Sequence, residues 1–433
     1  MATHLTDGDT RLTLWRRVRE FAVPPAMIET ATARRGTGDW AGACAAAGFD
    51  VDLDLRALAR ASGRDVRDRI RADLRRLAPD LLRWHLPRIA PDGLLRPGLT
   101  MPIARYDTGP RPLHLVVRTP PAWADAGQRV SLAVWDGTLG APAARHPHPR
   151  PSRRYRFDLH RHLWDADAAG DLRTRAGADR LSLCAAHRWA DEARIVLRSE
   201  GLDGGTVSVR PDGRRRLALH LAPDGTVTTG PGAGTAAVAV LPDAAVRLPP
   251  DLELLRAGLI DADRLHPLVA TALVPGHAPA ARTPDPAGQP PPVECRGARH
   301  RIGMVDGVLS ALDHTPDELR REELLTALGG PPLPCLRVID EAHRRPDCLT
   351  GVRERLDHGD VAGALAVVEG LLGPEAVLRD GPLKDALESA ARRRIAYGLY
   401  RAGLAGSRPA PVRTRRPRPA RDPRLGPRPA AWR

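Results

Sequence analysis

Between residues 275 and 292 the chain reads PGHAPAARTPDPAGQPPP. Proline has no backbone N–H and breaks helix and central strand alike, and the Ala and Gly between the prolines offer little to bury. Such a stretch reads as a linker, so the polypeptide on either side must find a core of its own. With 433 residues, two or three domains are expected. The fold class read from the sequence is α+β. A helical N-terminal region spans 1–92 and a mixed α+β domain spans 93–274. After the linker come a β-hairpin plus helical domain at 293–406 and a disordered basic tail at 407–433.

Periodicity supports each segment. Val66, Ile70, Leu74 and Leu77 recur along one helical face, with Ser62 as the expected N-cap and Pro79 as the stop. The segment TVSVRPDGRRRLALHLAPDGTVTTG, residues 206–230, carries two Pro-Asp-Gly turns between runs of strict alternation. Val207, Val209, Leu217, Leu219 and Leu221 therefore predict an antiparallel meander with one buried face. Further strands are expected at 113–117, 130–135 and 236–241, and helices at 164–173, 189–200, 252–259 and 263–273. Beyond the linker, a Val-Asp-Gly turn at 305–307 predicts a hairpin, and Thr315-Pro316-Asp317-Glu318 predicts a capped helix start. GDWAGA (38–43) and GDVAGA (359–364) echo one another. Two copies so far apart predict a shared turn, with Gly closing one helix and Asp capping the next, rather than a repeat array.

Apolar residues make up 42% of the chain but aromatic residues only 3%, so Leu, Ala and Val must build the core. A net charge of +14 points toward nucleic acid or anionic membranes. Lys384 is the sole lysine and Asn is absent, however, which fits the codon bias of a GC-rich genome and makes part of the arginine content compositional. From Ser407 to Arg433 nine arginines face one aspartate, and seven prolines forbid regular structure. Arg413, Arg415, Arg416 and Arg418 are the candidate nucleic-acid contacts, by non-specific counterion release. Arg67, Arg71 and Arg75 form a second stripe, read as a salt-bridged helix surface. Five scattered cysteines without a CxxC pair predict neither a disulfide framework nor a four-cysteine zinc site. The first residues hold no apolar signal segment and no long apolar run follows, so the expected location is the cytoplasm.

VIDEAHRR, residues 338–345, is a near match to motif II of DEAH-box helicases. That motif needs a glycine-rich phosphate loop with a lysine earlier in the chain, and no lysine precedes Lys384. Asp340 and Glu341 are instead expected on a helix laced with i,i+4 pairs. RRYRFDLHRHLWD, residues 153–165, is the metal candidate: in an extended chain Asp158, His160 and His162 share one face. GPGAGT (230–235) fails the dinucleotide spacing at Thr235. No catalytic set and no cofactor are expected.

Three blocks, LAPDLLRWHLPR (77–88), RRYRFDLHRHLWDA (153–166) and ECRGARHRI (294–302) with LDHGDVAGAL (356–365), resemble an uncharacterised protein family of high-GC bacteria. Some relatives carry ankyrin-like helical repeats beyond the CRGxxH block. The resemblance implies that the C-terminal helices are a degenerate binding scaffold, and it supplies no activity. The leading functional expectation is a non-enzymatic interaction or scaffold protein with an unknown protein partner and no membrane contact. The alternatives are nucleic-acid association through the tail and a metal-dependent enzyme at the DLHRH stretch.

Overall fold

The computed structural model of the chain describes residues 2–404 except 110, 125–127, 139–145, 181–184, 213–214, 233–236, 278–292, 296, 301, 306–307, 312, 331–332, 337–346 and 373–380. VIDEAHRR, the linker and the tail arginines Arg413, Arg415, Arg416 and Arg418 lie outside the described residues. The architecture is α+β with several small sheets. No described helix is long and apolar enough to cross a membrane.

The N-terminal region is helical at Ala2–Phe21, Pro25–Gly36, Trp40–Ala46, Leu55–Ser62, Arg64–Arg76 and Pro79–His85, with one interruption. Phe49–Asp52 is a strand, β1. It is followed by the short ribbon β2 (Arg88–Ile89) and β3 (Leu94–Leu95), then β4 (Thr100–Tyr106), β5 (Leu113–Arg118) and β6 (Val130–Trp135). The main sheet has the order β1-β6-β5-β4, with β1 parallel to β6 and the remaining pairs antiparallel. Because β1 completes this sheet, the expected boundary at 92 does not separate two cores. Val18, Leu74 and Trp84 pack in one cluster with Met101, Leu115 and Leu254. Val66, Ile70 and Leu74 are buried as their spacing predicts, but Gly63 rather than Ser62 caps their helix, with φ +91° at the break from the preceding one. The helix expected at 164–173 is mostly absent. Trp164 and Asp165 are held against the 77–78 backbone, with Ala78 N–H donating to Trp164 O at 2.8 Å, and only Leu172–Ala176 is α-helical.

The meander forms as read. β7 (Gly205–Val209), β8 (Leu217–Leu221) and β9 (Val227–Pro231) pair antiparallel with Val207 opposite Leu219, and β10 (Ala239–Val240) adds a parallel edge to β7. Its buried Val207, Val209, Leu219 and Leu221 pack against Ala193, Val196 and Leu197 of the helix Trp189–Ser199. Past the linker, two hairpins replace the single one expected: β11 (Val293–Cys295) with β12 (Ala298–His300), and β13 (Ile302–Val305) with β14 (Val308–Ala311). The helix Pro316–Ala327 starts on the predicted capping box of Thr315 and Glu318. Helices Asp347–Asp357, Val361–Leu372 and Pro382–Ala402 follow. The last docks on the main body: Tyr397 donates to Asp50, Arg401 pairs with Asp52, and Tyr400 meets Trp123 edge-on at 5.4 Å between ring centroids. Both GD-AGA turns are the shared cap that was read. Asp39 accepts from Gly42 N–H at 2.8 Å and Asp360 from Gly363 N–H at 2.9 Å, each after a glycine of positive φ.

Few aromatic rings are available, and Trp84 is tied into a buried ionic contact. Arg19 forks onto Asp251 at 2.6 and 2.8 Å and stacks 4.3 Å from the Trp84 ring, whose Nε1 donates to the same Asp251 at 3.1 Å. Three segments distant in sequence meet at this one carboxylate. Losing either partner strands a buried charge, at a cost of roughly 3–5 kcal/mol. Burial also pushes the His85 imidazole down to about 4, despite the opposing charge of Asp251. Burial beside Arg88, Arg83 and Arg17 pushes His358 down to about 3. In the unfolded chain both titrate near 6.5. Between pH 6.5 and those folded values the unfolded state binds protons that the native state refuses. Stability is therefore complete above about pH 6.5 and declines as the pH falls, by up to ~1.4 kcal/mol per pH unit for each histidine. Urea midpoints measured from pH 7 to pH 4.5 should fall steadily; a flat profile would show that these imidazoles are not buried in neutral form.

Candidate metal centre

Cys295 ends β11 and His300 ends β12, joined through a turn with Gly297 at φ +81°. Cys295 lies opposite Ala298 and His300 is two residues further along, so both side chains leave the same face of the hairpin. The second hairpin returns the chain to His314, immediately before the Thr315 cap. Cys335 sits in the helical turn 334–336. The donor atoms of Cys295, His300, His314 and Cys335 all lie within 4.8 Å of one another. A tetrahedral zinc site, with Zn–S near 2.3 Å and Zn–N near 2.0 Å, sets its donors about 3.3–3.8 Å apart. The four side chains thus gather within reach of one ion, and the two imidazoles would part slightly to take it.

A bound cation would stabilise the thiolates that burial alone disfavours. Cys295 and Cys335 are both wholly buried. Burial, together with contact with Cys295, pushes the Cys335 thiol up to about 11. His300 Nδ1 and His314 Nε2 face each other at 2.7 Å, and the other nitrogen of His314 lies 3.9 Å from Glu318. Two thiolates with two neutral imidazoles around Zn2+ carry no net charge, so the complete site suits an apolar setting. That setting is small. Among the described residues the buried core here is Cys295, Ala311, Leu333 and Cys335, with Val293, Leu319 and Leu336 half-buried against it. Burying one leucine contributes roughly 1.5–3 kcal/mol, whereas structural zinc contributes roughly 10–16 kcal/mol to such a module. Four protein donors fill a tetrahedral shell and leave no position for water or substrate, so this set would build structure and would not catalyse.

The metal candidate read from the sequence is organised differently. Residues 157–163 form two successive 3-10 turns (Phe157–Leu159 and Arg161–Leu163) and are not extended, so Asp158, His160 and His162 do not present one face. Asp158 is gripped by Arg156 through contacts of 2.8 to 3.1 Å. His160 Nδ1 bonds to Arg156 O at 2.9 Å and its Nε2 faces Glu192 at 3.3 Å, while His162 packs edge-on against His160. Burial, with the neighbouring His160, holds the His162 imidazole well below its usual range. Burial alone would raise the carboxyl of Glu192, but His160 and the two bonds from Arg175 hold it down at about 2. These groups answer one another and hold the fold together. In the Arg67, Arg71 and Arg75 stripe, Arg67 pairs with its sequence neighbour Asp68 at 2.8 and 2.9 Å rather than across an i,i+3 or i,i+4 step.

Sequence reasoning missed the four ligands because it sought CxxC pairs and all-cysteine sets. The intervals between the donors are 4, 13 and 20 residues. The legible signal was the Cys-x4-His of CRGARH, which a search for mixed Cys/His donors would have raised.

No family model matches the chain, and no curated protein or solved structure matches it either.

Protein purified from zinc-supplemented cells should carry about one zinc per chain. Cys295→Ser and His314→Ala should each lose it, and His162→Gln should keep it. Retention in the first two with loss in the third would move the metal to the DLHRH turns.

Proposed function

We propose that this chain is a zinc-binding interaction protein, in which the ion fixes residues 293–336 as a binding module beside the α+β body. The observation that carries this reading is the convergence of Cys295, His300, His314 and Cys335. The module presents Leu324 and Leu325 at the end of the helix Pro316–Ala327, with Leu328 just beyond, all three exposed. Their i, i+1, i+4 spacing makes a single apolar face suited to a protein partner. Ile395 and Leu399 form a similar exposed pair on Pro382–Ala402. A helical binding scaffold is also what the family resemblance of the CRGxxH block implies. Non-catalytic contact with a partner is favoured over metal-dependent catalysis because every donor position of the ion is taken by the chain itself.

Cobalt substitution tests the distinction between a structural and a catalytic ion. Co2+ in place of zinc should give the strong visible absorption of a tetrahedral two-sulfur, two-nitrogen site, unchanged by added azide. A spectrum that shifts with azide would reveal an open coordination position and overturn the structural role.

A further inference from the structure

A cleft of about 540 Å3 opens on the main body, away from the metal centre. The helix Arg64–Arg76, the end of β4, the turns around 156–161 and the helix Trp189–Ser199 form its walls. Six arginines line it: Arg69, Arg76, Arg105, Arg156, Arg161 and Arg198. Only three lining carboxylates accompany them, and each is already engaged. Asp158 is held by Arg156 at 2.8 Å, Asp73 accepts from Arg161 at 2.7 Å and from Tyr106 at 2.6 Å, and Asp107 meets Arg105 at 3.3 Å. The remaining three guanidiniums carry the excess. Arg69 lies 5.3 Å from the Tyr106 ring centroid, and among the described residues Arg76 meets only the exposed carboxylate of Asp167, at 3.8 Å. Arg198 has no carboxylate partner among the described residues.

We infer that this cleft binds a small phosphorylated ligand of nucleotide size. Planar guanidiniums on separate walls match the several oxygens of a phosphate group better than the two of a carboxylate. The concave wall focuses the positive potential that a flat surface would lose to salt. Ala72, Ala104 and Leu159 supply an apolar floor for the organic part. The paired arginines set the walls: Arg156 is braced by Asp158 and Glu200, and Arg161 by Asp73 and Asp165. Arg69 and Arg198 are exposed and leave the braced walls intact when removed. A nucleic-acid duplex would instead need an open basic stripe, and the outer stripe is partly neutralised by Asp68.

Calorimetric titration of the full chain in about 150 mM KCl with ADP, inorganic pyrophosphate and adenosine tests the assignment. ADP and pyrophosphate should bind with sub-millimolar Kd, adenosine should not, and the Arg69→Gln/Arg198→Gln double variant should bind at least about tenfold more weakly. Its urea midpoint should match the parent, which separates lost binding from lost folding. Cys295→Ser protein should bind ADP as the parent does; loss of binding there would place the anion on the metal and overturn the cleft assignment. Equal affinity in parent and double variant would also overturn it. So would binding of single-stranded DNA through Arg69 and Arg198 without any binding of ADP or pyrophosphate.

Discussion

Past the linker, Cys295, His300, His314 and Cys335 bring two sulfurs and two imidazoles within 4.8 Å of one another, and the ion proposed between them is the constraint on which residues 293–336 rest. The described parts of 293–336 converge on that point. The β11–β12 hairpin points Cys295 and His300 the same way, and the capping box at Thr315 fixes His314 at a helix entrance. A short helical turn then brings in Cys335. None of these pieces owns a core that would hold it alone; the large hydrophobic cluster belongs to the other side of the linker. In the proposed reading an ion with four bonds would make up for that small core, as structural metals do in small domains.

The body before the linker solves a related shortage by different means. In a chain with only 3% aromatic residues, rings cannot fill its interior. Leu, Val and Ala fill the volume, while buried arginines cross-link the segments. Arg19 joins the first helix to Trp84 and Asp251. Arg83 reaches the backbone of Ala22, Gln128 and His358, and so ties the first helix, the start of β6 and the C-terminal helices to one side chain. Buried charges specify one arrangement of these segments because each has a single geometry in which it is satisfied. Arginine content that looked compositional in the sequence is, at these positions, structural.

Local rules made much of this architecture legible. Alternation and Pro-Asp-Gly turns placed the β7–β9 meander, the Thr315–Glu318 pattern placed a helix start, and Gly-Asp placed both caps. What escaped was set by distant partners. β1 is four residues long and becomes a strand because β6 lies beside it, so no window of sequence announces it. Trp164 and Asp165 leave the helical pattern because the backbone at 77–78 captures them. Asp158, His160 and His162 gave the right residue types in the wrong conformation, since Arg156 and Glu192 claim them first. The metal ligands were the reverse case: spacings of no standard motif, made convergent by two hairpins of which only one was foreseen.

The central claim is that an ion holds residues 293–336 together. Amide hydrogen exchange, read segment by segment on the full chain before and after chelation, addresses it most directly. The account predicts that chelation abolishes protection in β11–β14 and the helix Pro316–Ala327 while β4, β5 and β6 stay protected, and that added zinc restores it. Unchanged protection across 293–336 in metal-free protein would contradict it.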